Sequence, residues 1–293
     1  MKKILPLVLA LALLLSLSAS AFADDVQGRA VIGADLSTEQ VDKLYAMFGI
    51  SRGSLPELTV TNQEERVYLS GFISEELLGT RAISSVLVEL LPEGSGMDVS
   101  TVNITWCTPE MYKAALATAG ITDARIVVAA PFEVSGTAAL TGIYKAYEDI
   151  TGQTLDEMSK LVGTQELTIT GEIADAIGSM DSTSIVNQLK LVLTETEKMS
   201  DEEILAQIDA ICTQYNVQLS DTHRQQLLSL CRSFEGLDAE SLKAKVEDVQ
   251  GKIKSLAGAK EKVEAVVEKA KGFVGSVGKF FDKVRDVIAV IKR

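Results

Sequence analysis

The sequence predicts an α+β fold: an N-terminal mixed β-sheet with helices, then an all-helical region, then a long amphipathic C-terminal helix or helix pair. Three observations carry that prediction. β-Branched and alternating runs are separated by helix-start signals across residues 24–150. Residues 151–240 show helix caps with no strand pattern between them, and from Leu242 onward apolar residues recur every three or four positions.

Arg29 to Asp35 (RAVIGAD) reads as the first strand. Ser37 and Gln40 have capping-box spacing, so a helix should follow to about Phe48. Glu57 to Thr61 is a second short strand, and Asn62 with Glu65 repeats the capping spacing into a helix ending near Gly71. Ile83 to Leu91 and Met97 to Thr105, joined by Pro92-Glu93-Gly94-Ser95-Gly96, read as a hairpin. Thr108 and Pro109 start a helix that Gly120 ends, proline being harmless where its missing N–H has no partner inside the helix. Ala124 to Ala130 (ARIVVAA) is continuously apolar, as a strand buried on both faces should be, and a helix follows from about Gly136 to Asp149. Beyond it, Thr154 with Glu157, Ser200 with Glu203, and Ser220 with Asp221 each start a helix of a small bundle.

Composition excludes several function classes. The 293 residues are 46% hydrophobic and 24% charged, ordinary for one or two compact domains. One histidine and three cysteines leave most metal and catalytic-triad chemistries without their side chains, and no cofactor is implied. The single histidine, His223, falls in a first helical turn and far in sequence from Ser135 or Cys107. A formal charge of −13 argues against nucleic acid as a partner. Cys212 and Cys231 sit on successive predicted helices at unequal distances from the turn, offset by ~10 Å, so the favoured reading of the three cysteines is buried small hydrophobes, with a Cys212–Cys231 bridge the alternative.

The first 23 residues have the layout of a signal peptide. Lys2 and Lys3 precede an apolar run, and Ala21-Phe22-Ala23 fits a small-x-small cleavage site, placing the new N-terminus at Asp24. No cysteine stands at that site, so lipid anchoring is not implied. Secretion with cell-envelope association is the expected localisation.

The charge divides unevenly. Residues 241–293 carry 13 Lys+Arg against 7 Asp+Glu, a net of +6, whereas residues 24–240 carry 13 against 34, a net of −21. That shift separates four segments: a signal peptide (1–23), an α/β domain (24–150), a helical bundle region (151–240) and a basic amphipathic tail (241–293).

Five strings resemble the YpuA-like family, also described as domain of unknown function 1002: GADLS at 33–37, TVTNQEE at 59–65, GTRAISS at 79–85, GSGMDVSTVNIT at 94–105 and APFEVSGTAALTGIYKAYE at 130–148. The resemblance implies an exported protein of Gram-positive bacteria and an envelope setting. It implies no activity, substrate or catalytic residue.

Two regions are candidates for function. The last 22 residues join a broad apolar face, with Phe273, Val277, Phe280, Phe281, Val284, Ile288 and Ile291, to a side-chain charge of +3. That is the pattern of a helix lying on an anionic membrane surface or on another envelope protein, and equally of a helix packed on its own bundle. The favoured reading is a non-enzymatic envelope protein making contact through this tail. The alternative is an envelope hydrolase or small-ligand-binding domain using Arg81, Ser135, Gly136 and Thr137. There the turn between a buried strand and a helix offers free amides to an anionic group, and Arg81 offers a guanidinium fork. The same turn is explained without a ligand if Gly136, Ala138, Ala139 and Gly142 are small so that the helix lies close to the sheet, with Ser135 its cap.

Overall fold

β1 (Gly28–Gly33) begins the sheet and, through Ser37 and a reciprocal bond with Gln40, feeds α1 (Thr38–Phe48), which ends on the left-handed Gly49. β2 (Glu57–Val60), α2 (Asn62–Leu69) and the single turn α3 (Glu75–Leu78) follow, then β3 (Ser85–Leu90) and β4 (Met97–Ile104). α4 (Pro109–Ala119), β5 (Ala124–Val134) and α5 (Thr137–Thr151) complete the sheet body. The helical body is α6 (Glu157–Ile177), α7 (Ser179–Leu191), α8 (Asp201–Gln214) and α9 (Asp221–Phe234). These elements come from a computed structural model that describes residues 27–192, 196, 198–238, 242 and 244. No helix among the described residues is long and apolar enough to cross a membrane.

The sheet order is β2-β1-β3-β5-β4, with β1–β2 and β4–β5 parallel and β3 antiparallel to both β1 and β5. The hairpin expected between β3 and β4 is therefore absent: β5 lies between them. ARIVVAA is apolar on both faces and gains most as an inner strand, so it displaces β4 to the edge, where Asp98, Ser100 and Asn103 face water. Side chains alternate across the sheet. Ala30, Ile32, Leu87, Val127 and Ala129 pack on α1, while Val31, Val86, Val88, Ile126 and Val128 pack beneath α4 and α5.

Two expected caps shift. The box at α2 is Thr61 with Glu64 rather than Asn62 with Glu65, and α6 starts from Asp156 rather than Thr154. The boxes at Ser37 and Ser200 and the cap at Ser220 stand where the sequence places them. Close packing of α5 on the sheet is also as expected, since a Cβ on Gly142 would lie 3.1 Å from Val86 Cγ1. Ser135, however, does not cap α5. Left-handed Gly136 takes that position without a side-chain bond.

α6 joins the two bodies. Gly163 lets it approach α4, because a Cβ there would stand 2.6 Å from the Ala115 carbonyl oxygen. Lys190 of α7 reaches into the same seam and donates to Glu166 Oε1 (2.6 Å), Thr118 Oγ1 (3.2 Å) and the Ala114 carbonyl (3.2 Å). Both charged groups are fully buried, and burial holds Lys190 below the usual lysine value against the attraction of Glu166. The rest of the helical core is apolar, built on residues such as Ile173, Ile185, Ile208, Leu227 and Phe234. Leu242 is buried in it as well, so this core extends past the compositional boundary at Ser241. Cys107, Cys212 and Cys231 are free and buried.

Candidate functional site

All four parallel strands end at one edge of the sheet, where β3 begins, and the loops there enclose a cleft of about 530 Å³. Clefts at the carboxyl ends of strands are the usual ligand sites of open sheets, because loops there leave backbone groups unpaired. Main-chain bonds stitch the loops together: Thr105 N–H donates to the Val134 carbonyl (2.9 Å) and Cys107 N–H to the Ser135 carbonyl (3.0 Å). The bulge in β4, at left-handed Asn103, and Pro131 in β5 interrupt the ladder and leave Phe132 standing 44% exposed on the cleft wall.

The opposite wall is α3 and the segment after it. Arg66 holds this wall with a forked bond to Glu75 (2.7 and 3.1 Å) and a bond to the Gly79 carbonyl (2.8 Å). Asp35 holds its end, accepting from the Ala82 N–H at 2.8 Å, while the Arg81 guanidinium donates to the Asp35 carbonyl at 3.0 Å. Arg81 stands exposed at the rim. Ser135 donates to the Leu77 carbonyl at 3.1 Å, so its hydroxyl closes the last turn of α3.

The floor holds a carboxyl group. Glu65 is 1% exposed, accepts from Thr137 Oγ1 at 2.6 Å and from Asn62 Nδ2 at 3.2 Å, and lines the cleft. Burial pushes it up to about 7, against the Thr137 and Asn62 hydrogen bonds and the Arg66 charge that pull it down. Its neighbour Glu64 behaves oppositely. Against desolvation, bonds from Lys145 (2.6 Å) and Thr61 hold Glu64 below the usual carboxylate range. Behind the floor, Tyr112 donates to the Gly136 carbonyl at 2.5 Å, and burial raises its hydroxyl well above the usual tyrosine value. Burial likewise pushes the Cys107 thiol up to about 12, which leaves it no nucleophile. Gly136 is required where it stands: its φ is +98°, and a Cβ would lie 2.7 Å from the Tyr112 oxygen.

Arg81, Ser135, Gly136 and Thr137 thus all line one cleft. Ser135 and Gly136 are engaged in building it, Thr137 is bonded to Glu65, and Arg81 is the side chain of the four that offers a charge to a ligand. The sequence reading did not assign Glu65, Trp106 or Phe132 to it. Placing the capping box one residue late made Glu65 a cap partner; with Thr61 and Glu64 as the box, Glu65 and Leu69 fall four residues apart on the buried face. An acid at an apolar helical position is the signal that identifies it. Phe273, Val277, Phe280, Phe281, Val284, Ile288 and Ile291 of the tail lie outside the described residues.

Comparison with known proteins agrees with the sequence resemblance. The uncharacterized protein YpuA of Bacillus subtilis (strain 168) is 36% identical over 297 residues, covering 99% of this chain and 99% of its own. No solved structure matches. The family described as Protein of unknown function (DUF1002) matches residues 32–256, and on both grounds the chain belongs to that family.

Proposed function

We propose that this chain is an exported cell-envelope protein that holds a small molecule, one with a polar head and an apolar body, in the cleft at the carboxyl end of its sheet. The observation that carries this reading is convergence. Four segments distant in sequence bring a buried carboxyl (Glu65), a guanidinium (Arg81), hydroxyls (Ser84, Thr137) and two aromatic rings (Trp106, Phe132) to one hollow. Export is supported by the N-terminal pattern, and N-terminal sequencing of secreted material should find Asp24 first.

The chain's single tryptophan is Trp106, on the cleft wall, so its emission reports what enters. Titration with benzoate, benzylamine and benzyl alcohol should give a saturable change in that emission for at least one probe. No saturable change with any of the three overturns the reading.

A second reading follows from charge. The basic tail, +6 against −21 for residues 24–240, supports contact with an anionic membrane surface. A peptide of residues 272–293 should gain helicity with anionic vesicles, more so at low salt. Changing both Phe280 and Phe281 to serine removes on the order of 1.5 to 3 kcal/mol of burial each, so binding should weaken at least tenfold. Unchanged binding of that variant would make the tail a packing element.

A further inference from the structure

Glu65 occupies an unusual place for a buried acid. It lies at the floor of the cleft beneath the first turn of α5, and the cations nearest it are committed elsewhere. Arg66 is bonded to Glu75 and Gly79, and Lys145 to Glu64 and the Thr59 carbonyl. Around Glu65 stand Asn62 and Arg66 of its own helix, Thr137 of α5, Cys107 of the loop after β4 and Tyr112 of α4; across the cleft are Glu76 and Arg81. Cys107 and Tyr112 stay neutral throughout the physiological range, because burial raises both. Of the three buried groups Glu65, Cys107 and Tyr112, Glu65 is the one whose charge changes near neutral pH.

We propose that the cleft selects a small organic monoanion with an apolar body, a carboxylate in the simplest case, seated between Arg81 and the first turn of α5, and that Glu65 takes up one proton from solvent as this anion binds. The inference rests on the cleft being a ligand site. The apolar body has walls to meet in Leu77, Ile83, Trp106, Phe132 and Val134. The charged head has the Arg81 guanidinium and the positive end of the α5 dipole. An ionised Glu65 under the same turn would repel that head from a buried position, whereas a protonated one would not, so anion and proton enter together. The coupling is reciprocal: a bound anion raises the affinity of Glu65 for its proton by the same factor that protonation raises the affinity for the anion.

The test is calorimetric titration of the full chain with benzoate, which stays ionised from pH 6 to pH 8, beside benzylamine and benzyl alcohol, with Trp106 emission placing each probe in the cleft. With Glu65 titrating at about 7 in the free protein, benzoate affinity should fall about tenfold from pH 6 to pH 8. Titrations at pH 7 in two buffers of different ionisation enthalpy should show net proton uptake, a measurement that needs no variant. Glu65→Gln should flatten the pH profile, and Arg81→Gln, at an exposed position, should weaken benzoate binding several-fold. Benzoate binding that is flat or rises with pH, benzylamine binding in preference, or benzyl alcohol binding as tightly as benzoate would each overturn the inference and leave the cleft a ligand site. Binding of none of the three would overturn both.

Discussion

The sheet body and the helical body treat buried charge in opposite ways. In the helical body, Lys190 is buried against Glu166 and also bonded to Thr118 and Ala114, so matched partners oppose the burial that weakens its hold on its proton. In the sheet body, Glu65 is as deeply buried, yet it has neutral partners, Thr137 and Asn62, and its cationic neighbour Arg66 is turned to Glu75. A buried charge with a matched partner is architecture, and one without is free to exchange a proton when its surroundings change. The same contrast distinguishes the seam between the bodies from the open end of the sheet. The named contacts of the seam lie on helices α4, α6 and α7, whereas the end of the sheet is made of loops.

Breaking the seam should have the largest effect. Lys190→Met leaves Glu166 buried without its cation and should cost about 3 to 5 kcal/mol in urea unfolding, while adding Glu166→Leu should recover most of that loss. A double variant as unstable as the single one would mean that the seam depends on more than the pair. At the cleft, the sign runs the other way. The Glu65 carboxyl titrates at about 7 in the folded chain against an ordinary 4.5, so the folded state holds the proton more tightly, and stability falls as pH rises between those values. Glu65→Gln escapes this, and relative to the parent it should be more stable at pH 8 than at pH 4 by on the order of 3 kcal/mol, measured by denaturant melts at both pH values. An unchanged difference would place Glu65 among ordinary carboxylates.

Two glycines of α6 sharpen the comparison further. Gly163→Ala drives a methyl against the fixed Ala115 carbonyl and should cost about 1 to 3 kcal/mol without altering the Trp106 emission. Gly171→Ala meets the Trp106 indole instead, whose Nε1 donates to Asp175 at 3.3 Å, and should shift that emission along with the melting temperature. If both shift it equally, the cleft and the seam move as one. The smallest effect belongs to the caps. Ser37→Ala in one body and Ser200→Ala in the other should each cost about 1 kcal/mol by thermal melting, because each removes the same bond, the one the serine hydroxyl accepts from the third helical amide.

Local chemistry was the most legible part of the sequence. Ser37 with Gln40, Ser200 with Glu203, the proline start at Pro109 and the glycine stop at Gly120 all depend on residues within one helical turn, and all stand where spacing places them. The sheet was legible strand by strand and not in its order. Pro92 to Gly96 supplies turn chemistry between β3 and β4, but the link of six residues between them also spans the width of an intervening strand, and ARIVVAA needed neighbours on both sides. The single-residue error at Thr61 shows how little separates a cap from a site. Glu64 and Glu65 are the same residue type side by side, and the helix start decides which faces Lys145 and which faces the floor of the cleft.

By itself, then, the sequence determined the α+β class, the existence of β1 to β5, most helix boundaries and the proximity of Ser135, Gly136 and Thr137, because each follows from neighbours along the chain. Only the tertiary structure decided that Arg81, which the sequence offers for the same site, stands on its rim, that Glu65, Trp106 and Phe132 line it, and that Lys190 meets Glu166. Those meetings depend on which strand lies innermost and how closely two helices approach. Burial then sets the charge of Glu65 and Lys190, a property of the surroundings that no local spacing encodes.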